Sequence, residues 1–233
     1  MTKTPSPRPT RRKASAGTRA KATVPDLFRV LRERIANQSI APGAKLRETD
    51  LAAEYGVPRS RIRDALAALE QRGLVVREPN RGAIVTKLDL SQVFHIYDLR
   101  EALEGLAARL ATERMPPEHW QADLALFKGP MKEHVDKGNF DAYIEQYEAF
   151  RLRIIDAAGN PVLKEMLDII FEKTQVLIRR IIILPGRAEQ GRRQHLATIE
   201  AMRRGDAAEA ERLRREGLRS AKSTLEKYQR YVL

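Results

Sequence analysis

The 233-residue chain contains no cysteine. Disulfides, thiolate-bound zinc and thiol catalysis are excluded with it. No long apolar run is present either. The most apolar region, Val162 to Leu184, is interrupted by Lys164, Glu165, Asp168, Glu172, Lys173, Arg179 and Arg180, so it does not read as a membrane span. The first residues lack the apolar segment of a secretory signal, which makes the cytoplasm the default location. No acidic residue precedes Asp26. Missing too are a phosphate-binding glycine loop and any nucleophile–base constellation, so nothing in the chain points to an enzyme or to a bound cofactor.

What remains is a basic chain with enough apolar residues for a packed core. Hydrophobic residues make up 42%, and 43 Lys and Arg stand against 31 Asp and Glu, a formal charge of +12. Such a balance favours a polyanionic partner. Seven of the cations (Lys3, Arg8, Arg11, Arg12, Lys13, Arg19 and Lys21) lie in residues 1–22, a stretch rich in Pro, Ser and Thr. It reads as a disordered basic arm, available for phosphate contacts or simply solubilising.

The pattern then becomes periodic. Helices are expected over 25–36, 48–55 and 59–71, the second ending at Gly56 as a left-handed cap. In the third, Ile62, Ala65, Leu66 and Leu69 form one apolar stripe. Strands at 74–77 and 83–86 flank a tip at 78–82. Helix, helix, turn, helix and hairpin make a winged helix-turn-helix over residues 23–87. From residue 88 to 233 the pattern is all helical, with segments at about 90–114, 117–137, 139–158, 161–184, 187–205 and 207–230. On the first of these Ile96, Leu99, Leu103, Leu106 and Leu110 are expected to face inward. The fold class is therefore mainly α: a winged helix-turn-helix with a small β-hairpin wing, then a bundle of about six helices.

The third helix carries the chemistry. Opposite its apolar stripe lie Ser60, Arg63, Asp64 and Ala67, with Arg59 at the N-terminal edge. A recognition helix presents such N-terminal residues to base edges in the major groove, where arginine donates two hydrogen bonds to guanine. Ser60 suits a phosphate or a base. Asp64 is expected to hold a neighbouring arginine or to accept from cytosine. Wing residues Asn80, Arg81 and Gly82 are expected to support the contact, the glycine permitting close backbone approach. Double-stranded DNA is thus the expected partner. An effector-free architectural DNA binder, relying on the basic arm, is the alternative reading.

Ala41-Pro42-Gly43, Leu51-Ala52, Gly56-Val57, Arg59-Ser60, Arg63-Asp64-Ala65-Leu66, Leu69-Glu70, Gly73-Leu74-Val75 and Arg81-Gly82-Ala83 together resemble the DNA-binding domain of GntR-family transcriptional regulators. Pro58 departs from the family, which usually has Ser or Thr there as helix cap. Leu99-Arg100-Glu101-Ala102-Leu103-Glu104, Phe150 with Ala157-Ala158-Gly159-Asn160, and His195 with Ala201 to Asp206 resemble the FCD effector domain of its FadR subfamily. The resemblance implies a homodimer on a pseudo-palindromic operator, usually a repressor released by a small metabolite such as a carboxylate. It also implies an effector site around Arg100, Tyr147, Arg151 and His195. Many such domains hold a metal through one carboxylate and three histidines. Here those positions are Tyr147, Arg151, His195 and Gly217, and no metal is expected. Arg100 and Arg151 could instead clamp an anion directly. His95, His119 and His134 show no ligand spacing.

Overall fold

The computed structural model describes residues 23–36, 39–78, 82–87 and 90–232. The basic arm, Asn80 and Arg81 lie outside the described residues. Helices α1 (Val24–Ala36), α2 (Glu48–Tyr55) and α3 (Arg59–Gln71) precede the hairpin of β2 (Val75–Glu78) and β3 (Gly82–Val85). The anticipated stripe of α3 is buried at all four positions, and it packs with Leu27, Leu31 and Ile35 of α1, Leu51 of α2 and Val75, Ala83 and Val85 of the hairpin. Gly56 takes the left-handed conformation (φ 64, ψ 35) and its N–H donates to the Ala52 carbonyl, ending α2.

The sheet has a strand that the sequence pattern did not announce. β1 (Lys45–Leu46) pairs antiparallel with β3, giving the order β1-β3-β2. Two residues are too few for an alternation to show. The third strand explains Gly82: its φ is +93, and a Cβ there would lie 2.2 Å from the Leu46 carbonyl oxygen. Gly82→Ala is therefore expected to destabilise the wing by more than about 1 kcal/mol through strain at positive φ and collision with β1. Thermal unfolding of the full chain, with Gly138→Ala as the comparison, checks this. Gly138 also has positive φ but open space around it, so strain without collision is measured there.

After the wing come α4 (Leu90–Arg114), α5 (Gln121–Lys128), α6 (Pro130–Asp136), α7 (Phe140–Ala157), α8 (Pro161–Ile182), α9 (Arg187–Arg203) and α10 (Ala207–Val232). The expected single helix over 117–137 is three pieces: a 3₁₀ turn at Pro117–Trp120, then α5 and α6, broken at Gly129 (φ −108, ψ −92) and Pro130. Proline has no N–H to continue the ladder of α5. Asn139 and Asn160 accept from the backbone at the starts of α7 and α8, which places both caps where the Gly-Asn pairs stand.

The buried face of α4 also differs from expectation. Leu99 is 55% exposed, and Val93, Tyr97, Arg100, Glu104, Ala107, Ala108 and Ala111 form the inner line. Leu103, Leu106 and Leu110 are only partly buried at its flank. The helix is turned because its inner face carries a paired arginine and glutamate, which a hydrophobic pattern assigns to solvent. Small residues on α4 let α10 come close: Gly105 has the Arg215 stem within 2.6 Å of where a Cβ would sit.

Candidate DNA-reading face and effector cavity

Arg59, Ser60 and Arg63 occupy the first turn and a half of α3 and all three are exposed. Pro58 stands at the cap position and makes no side-chain cap bond. The arginines converge on Glu48, the first residue of α2. Arg63 donates from Nε to Oε1 (3.0 Å) and from Nη2 to Oε2 (2.9 Å), a two-pronged pair, and Arg59 reaches Oε2 at 3.5 Å. These hydrogen bonds, led by that of Arg63, hold the Glu48 carboxyl below its usual range. Glu48, rather than Asp64, is the residue that holds the arginines. Gly82 is the described wing residue among those singled out, and it sits against β1 as given above.

The second site lies inside the bundle. A cavity of about 50 Å³ is lined by Tyr97 and Arg100 of α4, Tyr143 and Tyr147 of α7, Arg187 and His195 of α9, and Arg214 and Gly217 of α10, with Ile178, Ile181 and Ile182 of α8 closing one wall. Three of the four residues that the resemblance pointed to, Arg100, Tyr147 and His195, thus come together. Arg151 does not line it. Its guanidinium lies 3.5 Å from the centre of the Phe171 ring, and its Nε is buried without a partner. Arg187 and Arg214 were missed.

Behind the cavity Glu104 is buried. It accepts from Arg100 Nε at 2.8 Å and from Arg214 Nη2. Burial alone would raise its pKa, but Arg214 and Arg100 outweigh this and bring the carboxyl down to about 2. Arg214 also donates from Nη1 to His195 Nδ1 (2.9 Å). Arginine has no acceptor, so Nδ1 must be the bare nitrogen and the proton sits on Nε2. Desolvation first, then the neighbouring Arg214 and Arg187, keep His195 neutral well below its ordinary pKa. Three guanidiniums therefore face one cavity with one buried carboxylate between two of them, and Arg100 Nη1 is buried with no protein acceptor.

This donor set does not fit a divalent metal. A guanidinium stands on His195 Nδ1, and among the described residues no group of three or more His, Cys, Asp or Glu is placed to hold one. Glu148, one residue from Tyr147, accepts from Gln175 instead. His119 lies against the edge of Trp120.

A winged helix-turn-helix joined to an all-helical bundle is the architecture of a DNA-binding transcriptional regulator. Residues 25–85 match the bacterial regulatory proteins of the gntR family, and residues 95–220 match the FCD domain. The chain belongs to the GntR family of transcriptional regulators, in the group with an FCD C-terminal domain; it is a regulator and not an enzyme. It is 29% identical over 183 residues to the uncharacterised HTH-type transcriptional regulator YdhC of Bacillus subtilis, covering 76% of this chain and 79% of that one. It is 25% identical over 202 residues to the HTH-type transcriptional repressor GlaR of Escherichia coli, covering 83% and 91%. Among solved structures, the fold is similar to that of E. coli McbR/YncC, with a TM-score of 0.73 at 21% identity over 89% of this chain and 98% of that one. Among the described residues no helix is long and apolar enough to cross a membrane.

Proposed function

We propose that the chain is a repressor that binds a pseudo-palindromic operator as a homodimer and answers to a small carboxylate. Residues 23–87 form the DNA-binding unit, preceded by the arm at 1–22, and residues 88–233 bind effector and dimerise. Arg59, Ser60 and Arg63 read the major groove. Asn80, Arg81 and Gly82 support from the wing, and residues 1–22 add phosphate contacts. In the bundle Arg100, Arg187 and Arg214 take the effector's carboxylate, Tyr147 donates a hydrogen bond, and His195 donates from Nε2. Arg151, outside the cavity lining, contributes its charge near Glu104.

One observation carries the effector half: three guanidiniums, those of Arg100 and Arg214 buried, line one cavity, the single carboxylate behind it pairs with only two of them, and one of their N–H groups has no acceptor. An unbalanced buried charge is costly, and an anionic ligand with two oxygens satisfies both the charge and the open donor. The cavity holds only a few water-sized groups, which favours a compact acid. Binding alters DNA affinity by as much as the effector distinguishes the free from the DNA-bound arrangement.

A thermal-shift series of mono- and dicarboxylates of two to five carbons, at constant ionic strength, tests this. At least one is expected to raise the unfolding temperature of the wild type and not of an Arg187→Gln variant. A response to none of the series, or an equal response in the variant, contradicts the reading.

A further inference from the structure

Helix α8 touches both functional regions. Ile178, Ile181 and Ile182 line the effector cavity, and Glu172, some two turns earlier, meets the DNA-binding elements. The Glu172 side chain is only 9% exposed. Its Oε1 accepts from Arg32 Nη1 of α1 at 3.2 Å and from Arg72 Nη1, at the C-terminus of α3, at 2.9 Å. The Arg72 guanidinium carbon also lies 5.5 Å from the centre of the Phe28 ring of α1. The next residue, Gly73, has φ +69 and lies so near α8 that a Cβ would be 3.0 Å from the Lys173 side chain. The end of the reading helix is therefore brought onto α8 at one point.

The hydrophobic cores of the two parts are separate clusters. Between them, where Glu172 and Leu177 face Ile35, Leu74, Val85 and Thr86, lies a cavity of about 380 Å³. Glu172 Oε2 and Thr86 Oγ1 are buried and have no protein partner. Two separate cores that meet across a cavity leave relative motion as the default. One carboxylate gripping two guanidiniums from different helices fixes rotation as well as distance, which a single pair does not.

We propose that Glu172 is a positioning residue that clamps the winged-helix part to the bundle, setting the orientation of α3 through Arg72 and of α1 through Arg32. This holds whether or not the bundle cavity takes a carboxylate. Nitrogen-15 relaxation on the full-length protein reads it directly, with neither DNA nor effector present. In the wild type, amides of α1–α3 and of α7–α10 are expected to report one common correlation time. In Glu172→Gln the winged-helix amides are expected to report a shorter time than the bundle amides. Arg32→Gln with Arg72→Gln is expected to do the same, and these partners are 38% and 42% exposed, so the fold is not at stake if Glu172→Gln fails to fold. The charge exchange Glu172→Arg with Arg72→Glu is expected to bring the two times back together relative to Glu172→Arg alone. A wild type whose two parts already tumble separately overturns the proposal, as does an arginine double variant that still tumbles as one body.

Discussion

Operator binding is expected to be lost when Arg59 and Arg63 are both replaced by alanine, with the fold unchanged. Each arginine that donates two hydrogen bonds to a guanine is worth about 1–3 kcal/mol of base discrimination. The pair then amounts to about 2–6 kcal/mol, a weakening on the order of 30- to 10⁴-fold. Stability should stay within about 0.5 kcal/mol, because both side chains are exposed and the apolar face of α3 is untouched. Fluorescence anisotropy on an operator fragment measures the loss, and circular dichroism checks the fold. Glu48 complicates the single variants. With one arginine gone the carboxylate still holds the other, so the two single losses need not add up to the double. In the free protein Glu48 holds both guanidiniums at the start of the helix, so the proposed groove contact would carry little further ordering cost.

The second large effect concerns Glu104. Its replacement by alanine leaves Arg100 and Arg214 buried without their common carboxylate, 2% and 5% exposed. Removing one partner of a buried ion cluster costs about 3–5 kcal/mol, and thermal unfolding of the bundle is expected to show it as a drop of about 6–20 °C. The same group makes an acid-sensitive contribution. Its folded pKa of about 2 lies below its ordinary value of 4.5. Its stabilisation is thus complete above about pH 4.5 and is lost as the pH falls from there toward 2. Glu104→Ala should lack that part of the acid transition. Acetate should raise the stability of Glu104→Ala more than chloride does at equal ionic strength, since it returns a carboxylate to two waiting guanidiniums. A variant as stable as wild type, or one indifferent to acetate, would mean that the cluster is neither strained by charge nor suited to carboxylates.

The parts of the fold that were legible in the sequence share one property: the residue type and its burial agree. Ile62, Ala65, Leu66 and Leu69 are apolar and buried, and Gly56 occupies its expected left-handed position. The rest was hidden for identifiable reasons. β1 is shorter than its own period. The inner face of α4 is partly charged, so the apolar count favoured the neighbouring face carrying Leu99. The Gly129–Pro130 pair stands inside the segment read as one helix, and the structure breaks there.

In the bundle site, Arg100, Tyr147 and His195 were found through the family pattern, which also drew in Arg151. That residue shares their region but turns to Phe171. Arg214 offered a signal that went unused. It falls on the line Ala210, Arg214, Leu218, Ala221 and Leu225, all buried, so its position on α10 is a core position. Among the exposed arginines 212, 215 and 219 this was easy to overlook. Arg187 begins α9 just after a left-handed glycine, a place where no periodicity has yet been established. Asn80 and Arg81 of the wing tip lie outside the described residues.

In the proposed function α3 reads a particular DNA sequence, in duplicate, under the control of the helical bundle. Selection of bound duplexes from a random library, at near-physiological salt, tests the reading step most directly. Wild-type protein is expected to enrich a short inverted repeat with one guanine-containing half-site for each copy of Arg59 and Arg63, and the Arg59→Ala, Arg63→Ala variant is expected to enrich none. Tight binding that enriches no sequence, or enrichment of the same repeat by the double variant, would contradict the account.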